Sequence, residues 1–313
     1  MSRMREGGPR RSFARLAAVT MLTSVAVSVH AVPARAATAP TLCALNGTAT
    51  TVSRYNLNGA WDPIRSQSTV NIYGGGFGVV AVNSTLPDTF LKRAGSNTWE
   101  VISRPRGVVS WKYQVTDTAV YNWLGPSATS NPVFQYRGPG VSWTRIGGPA
   151  RTIYAGNYGL FATSPDTGDV YRYLGTPGSW ARIGGPGRFA VGNTAVYGLS
   201  PDGSGIHQYS GTGASWFQIG GAAFSIYAGG HGLFATLRPD GDLYRYLGTP
   251  GAWQRLGTPN RAVHGSIRTV VVTSRAVFAQ SSSTGQLWVW EEFDGGGWAA
   301  IGGGQPRALA ACP

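Results

Sequence analysis

One phrase of about 37 residues, opened each time by tryptophan, recurs along this chain and fixes what it can fold into. The copies beginning at Trp143, Trp180 and Trp216 read WTRIGGPARTIYAGNYGLFATSPDTGDVYRYLGTPGS, WARIGGPGRFAVGNTAVYGLSPDGSGIHQYSGTGAS and WFQIGGAAFSIYAGGHGLFATLRPDGDLYRYLGTPGA, and Trp253 opens WQRLG again. These tryptophans stand 37, 36 and 37 residues apart. A fixed period in that range marks a repeat architecture, in which each unit buries its apolar face against its neighbours. Within one copy, TIYAG (152–156), GLFATS (159–164), DVYRYLG (169–175) and SWARIGG (179–185) are rich in β-branched and aromatic residues and separated by Gly, Pro, Asp and Asn. That is strand chemistry punctuated by turn chemistry. No window carries the 3.6-residue apolar period of an amphipathic helix. Four short antiparallel strands per copy predict one blade of a β-propeller.

Weaker copies extend the pattern outward. Trp61, Trp99 and Trp253 open units 38, 44 and 45 residues long, the excess lying where Gly and Pro are densest. The 16 residues from Trp298 to Pro313 read as an outer and an inner strand, and the 20 residues from Thr41 to Ala60 supply the two strands between. Together the two pieces make one repeat. The expectation is an all-β, seven-bladed β-propeller of four-stranded blades, a single domain over 37–313. Its repeats open at Trp61, Trp99, Trp143, Trp180, Trp216, Trp253 and Trp298. Closing the ring with a blade shared between both termini removes the unpaired edges that an open stack would leave. Aligned to the repeat, Cys312 falls on the innermost strand and Cys43 on the next, so a disulfide between them is expected within that blade.

Residues 1–36 read as a secretory signal peptide: five arginines precede an apolar run, Leu16 to Val29, and Ala34-Arg35-Ala36 offers a cleavage site. Arg10-Arg11-Ser12-Phe13 resembles the twin-arginine export motif, from which Pro9 departs, so the export route stays open. The remaining chain is expected to be secreted and extracellular, with no transmembrane segment. An oxidising compartment suits the cysteine pair. The formal charge of +13 falls to +8 once the six arginines and one glutamate of residues 1–36 are set aside. No dense Lys/Arg run appears after residue 36; the charge reads first as a soluble basic surface of biased composition, with attraction to anionic glycans, cell-wall polymers or nucleic acid as the functional alternative, and no specific nucleic-acid binding is expected.

The phrase W-x-x-I-G-G, then I-x-A-G, then G-L-F-A and a Y-R-Y strand resembles the tectonin and tachylectin type of β-propeller lectins. The resemblance covers essentially the whole chain after residue 36, clearly in the three central copies and less so outside them. It implies a propeller and, in many members, glycan binding on or between blades; other members serve as interaction modules.

The repeated tryptophans suit packing at the seam between blades, with sugar stacking as their alternative role. The expected ligand-binding residues combine a forked donor with an aromatic face: Arg172 with Tyr173 and Arg245 with Tyr246. Asn157, Tyr158 and His231 on the turn between the first two strands tune the site. Pro165-Asp166, Pro201-Asp202-Gly203 and Pro239-Asp240-Gly241 read as turns, and Asp169 and Asp242 match no calcium-loop spacing. His207, His231 and His264 lie in different repeats without metal-ligand spacing. No carboxylate pair, nucleophile motif or phosphate loop emerges, so neither a catalytic residue nor a cofactor is expected. The leading expectation is a lectin with two or more similar weak sites. A non-catalytic protein-interaction scaffold is the second reading and a glycan-cleaving enzyme the third.

Overall fold

The copies translate into blades. The computed structural model describes residues 41–56, 59–83, 88–103, 112–123, 132–292, 296–302 and 304–313. The expected signal peptide lies outside them. Among the described residues no helix is long and apolar enough to cross a membrane.

Seven four-stranded antiparallel sheets follow one another, each starting at its innermost strand. Blade 1 joins Ala308–Cys312 to Thr41–Leu45, Val52–Tyr55 and Trp61–Arg65. Blade 2 is Thr69–Gly75, Gly78–Asn83, Thr89–Arg93 and Glu100–Val101; blade 3 is Lys112–Val115, Val120–Trp123, Pro132–Gly138 and Ser142–Pro149. Blades 4, 5 and 6 are the central copies: their inner strands are Thr152–Gly156, Arg188–Val191 and Ala223–Gly229, and their outer strands Trp180–Gly184, Trp216–Gly220 and Trp253–Gly257. Blade 7 is Ile267–Val272, Val277–Ser281, Leu287–Glu291 and Gly297–Gly302. Inner strands touch in sequence around the circle, blade 7 meeting blade 1, so the fold is a closed seven-bladed β-propeller. The insert before blade 7 adds one helical turn, Arg261–His264, which the strand pattern did not anticipate.

Blade 1 carries the expected closure. Cys43 and Cys312 form a disulfide with Cα atoms 5.3 Å apart, across a strand pair in which Cys43 faces Ala310 and Thr41 faces Cys312.

The apolar core is divided among the seams. Seven clusters of buried residues occur, one between each pair of adjacent blades; Phe161, Val170, Ile183, Val191, Val196 and Tyr209, for example, fill the seam between blades 4 and 5. The recurring phrase is the recipe for one seam. Each of the seven tryptophans donates its indole Nε1–H to the carbonyl of the Ile or Leu three residues after the preceding blade's tryptophan. Trp180 bonds Ile146 at 2.8 Å, Trp216 bonds Ile183 at 2.6 Å, and Trp61 closes the circle on Ile301 at 2.9 Å.

A β-bulge supplies that acceptor. In blade 4, Tyr171 faces Arg182 and Val170 faces Gly184, leaving Ile183 with no opposite number on the strand beside it. The same slip skips Ile64, Ile146, Ile219, Leu256 and Ile301. A bulged residue stands outside the ladder's regular pairing, and here its carbonyl turns to the next blade. The glycine that follows gives the indole room: a Cβ on Gly147 would lie 3.1 Å from the Trp180 ring, and one on Gly184 would lie 2.8 Å from Trp216.

Candidate ligand-binding seams

Strand direction decides which predicted residues can meet. Neighbouring residues on a strand point to opposite faces, so Arg172 and Tyr173 enter different seams. Tyr173 turns back toward blade 3, where its ring lies 5.1 Å from Trp180, and Tyr246 repeats this against Trp253 at 5.1 Å. Each packs on its own blade's tryptophan. The expectation of Arg and its adjacent Tyr gripping one ligand is therefore corrected by the two-residue period of the strand.

Arg172 points the other way, into the seam with blade 5. Its guanidinium lies 5.0 Å from the centre of the Tyr158 ring, which in turn stacks on Phe161 at 6.2 Å and 10°. Tyr158 is held at the tip of the turn between the first two strands by its backbone N–H, bonded to the Gly192 carbonyl of blade 5 at 3.0 Å. The aromatic wall on the far side is Tyr209, the counterpart of Tyr173 one blade on. Burial pushes the Tyr209 hydroxyl above its ordinary pKa; the Arg172 charge pulls it down in part, and Tyr158 adds to the rise. The phenol donates to the Gly213 carbonyl at 3.0 Å.

Blade 6 repeats the arrangement with a difference. His231 takes the place of Tyr158 and stacks on Phe234 at 5.9 Å and 18°. Arg245 takes the place of Arg172 but is ion-paired with Glu292 of blade 7, and His231 Nε2 lies 3.3 Å from the same carboxylate oxygen. Burial lowers the His231 pKa below its ordinary value, Arg245 lowers it further, and Glu292 only partly compensates; the neutral ring is favoured. The seam between blades 2 and 3 has a third version. Arg93 lies 5.1 Å from the Phe77 ring and 5.6 Å from Tyr136, and bonds Glu100 at 2.6 Å.

Three alternate seams thus carry a turn aromatic, an arginine and a facing aromatic, and two of them also hold a glutamate that occupies the arginine. At the third, Gly211 stands where blade 7 has Glu292. Among the described residues Arg172 forms no ion pair.

Asn157 serves a different structure. Its amide donates to Asn193 Oδ1 at 2.9 Å and bonds the Asp117 carboxylate, while its Oδ1 accepts from the Asp117 backbone N–H at 3.2 Å. It ties three successive turns together around the mouth of the central channel. Glu292 escaped the sequence reading, and Tyr209, read with Gln208 as the equivalent of Arg172 and Tyr173, was not set against Arg172, because each belongs to the blade after the residue it completes. Aligning the copies with an offset of one blade would have found both.

Among the described residues no three His, Cys, Asp or Glu side chains gather to hold a metal ion. The Pro-Asp segments are turns: Asp202 and Asp240 each accept a backbone N–H two residues on, at 2.9 and 3.1 Å.

No protein-family model matches the sequence, and no curated protein matches it. Solved structures do. A functionally unknown protein from Desulfotomaculum acetoxidans is 12% identical with a TM-score of 0.54, covering 87% of this chain and 98% of its own. Apo AztD from Citrobacter koseri is likewise 12% identical at 0.54, with 88% and 98% covered. A putative 6-phosphogluconolactonase from Bacteroides fragilis is 14% identical at 0.51, with 90% and 100% covered. The likeness is one of fold.

Proposed function

We propose that this is an exported carbohydrate-binding propeller of the tectonin type, and that its open site is the seam between blades 4 and 5. One observation carries the reading. Arg172 stands beside two aromatic faces, Tyr158 and Tyr209, with no acidic partner, whereas its counterparts Arg245 and Arg93 are neutralised. Sugar recognition asks for an apolar face to stack on and a few fixed hydrogen-bond donors. An unpaired guanidinium adds bidentate recognition of a carboxylate or sulfate, so the ligand class is an acidic glycan. Binding without cleavage fits the placement of Glu100 and Glu292, which lie in other seams and are each engaged by an arginine. A protein-interaction role is the second reading, favoured by the exposed Leu174 and Leu247 on corresponding loops of blades 4 and 6.

The test is calorimetry with acidic and neutral oligosaccharides chosen from a glycan array. One acidic glycan per chain is expected, with binding weakened at least tenfold in Arg172→Ala and unchanged in Arg245→Ala. Glu292→Gln should release Arg245 and raise the stoichiometry toward two. Undiminished affinity in a folded Arg172→Ala variant would refute the assignment.

A further inference from the structure

The seam between blades 1 and 2 breaks the rule of the others. At the position that is Gly147, Gly184 or Gly220 elsewhere, blade 1 has Arg65, only 7% exposed. Its guanidinium carbon lies 4.0 Å from the centre of the Phe90 ring and 5.1 Å from that of Trp99. Among the described residues, Nε and one Nη of Arg65 are buried without a hydrogen-bond partner. Two aromatic rings therefore form the described seat of a buried cation, an arrangement that suits a delocalised guanidinium better than a compact ammonium.

The same two walls recur, empty of side chain, between blades 3 and 4. Tyr171 occupies the register position of Phe90, since Ala162 faces Tyr171 as Ala81 faces Phe90. Trp180 occupies that of Trp99 and makes the same backbone bond, to Ile146 where Trp99 bonds Ile64. Gly147 replaces Arg65. Tyr171, Trp180 and Gly147 line a cavity of about 260 Å³ at the edge of the ring, and Asp166 and Ser164 from the turn of blade 4 stand among its lining residues. The first seam fills its aromatic seat from within; the second keeps the seat, omits the occupant, and adds a carboxylate.

We infer that the groove between blades 3 and 4 binds an arginine side chain presented by a peptide or protein partner, its guanidinium taking the place that Arg65 holds two seams away. The aromatic faces receive the plane of the group, and Asp166 supplies the countercharge. This site lies among the turns between second and third strands, away from Arg172, and does not depend on glycan binding.

The experiment titrates the purified protein at low ionic strength with a blocked tripeptide carrying a central arginine, against its lysine and citrulline versions. The arginine peptide should bind at least tenfold more tightly than either control and shift the Trp180 indole resonance. Tyr171→Ala and Asp166→Asn should each weaken binding at least fivefold. Gly147→Arg should abolish it by placing a guanidinium in the groove in cis; because that Cβ crowds Trp180, the Tyr171 and Asp166 variants carry the test if it does not fold. Three results would overturn the inference: no binding of the arginine peptide, equal binding of the lysine or citrulline peptide, or affinity unchanged in Tyr171→Ala.

Discussion

Trp180 separates two contributions that the repeat makes together. Its ring fills the seam between blades 3 and 4, and its N–H bonds the Ile146 carbonyl. Trp180→Phe keeps most of the ring and removes one of two hydrogen bonds to the Ile146 carbonyl, which still accepts from the Gly178 N–H at 2.9 Å, so it should cost only about 0.5–1.5 kcal/mol. Trp180→Ala also opens a cavity and should cost about 3–5 kcal/mol. Chemical denaturation of both variants checks the order; equal losses would mean the ring's packing adds nothing beyond the hydrogen bond, and no loss in Trp180→Phe would mean the hydrogen bond contributes nothing. The packing role was legible from the period alone. The bond was not, because a bulge is a mismatch in count between two strands and leaves no mark in either one. Arg172 and Tyr173 teach the complementary lesson: adjacent letters suggested a joint site, and the alternation of side chains across a strand divided them.

At the scale of the element, the outer half of blade 6 is pinned by Asp242. Its carboxylate, 3% exposed, accepts from Thr258 at 2.7 Å and from Arg261 at 2.5 Å, and is ion-paired with Arg255. Burial opposes ionisation, but hydrogen bonds from Thr258, Arg261 and Arg255 outweigh it and hold the pKa below its ordinary value. A folded pKa below the unfolded one gives stability that is fully present above about pH 4 and is lost as pH falls through the folded value. Asp242→Asn should therefore lower the melting temperature at pH 6 and narrow its gap to the wild type near pH 2. An identical gap at both pH values would contradict this. The sequence reading asked Asp242 for a calcium loop and found none; its true partners lie in the next strand and in the helical turn beyond, at separations the repeat does not encode.

For the whole molecule, the count of seven blades and the shared blade were legible because each copy carries its own tryptophan and turn residues. The seam proposed as the open site was not, since its choice rests on which seams hold Glu292 or Glu100 and which do not. The disulfide across blade 1 spans 269 residues, and removing it should cost about 5 kcal/mol in the chain-entropy model. The strand pairing between Ala308–Cys312 and Thr41–Leu45, with the Trp61 bond to Ile301, gives the ring a second closure. The Cys43→Ser/Cys312→Ser variant should therefore keep its β-sheet circular dichroism at room temperature yet unfold at lower denaturant. Loss of the sheet signal without denaturant would show that the covalent link alone closes the ring.

Every blade bears a plug, its indole N–H, and a socket, the carbonyl three residues after its tryptophan, which in six of the seven sits on a bulge. A blade is thus a cassette: inserted or excised whole, it brings one of each, and the tryptophan joint on either side is restored even where the side chains packed around it differ. The number of blades is then a matter of curvature, set by how closely the inner strands approach. There Gly156 and Gly229 bring their backbones so near the next blade that a Cβ would meet a carbonyl at 2.5 and 2.3 Å. Gly74 and Gly75 of blade 2 approach as closely, at 1.9 and 2.3 Å; bulk added at such inner-strand glycines, and not any change in the plugs or sockets, is what would press this circle to open or to admit an eighth member.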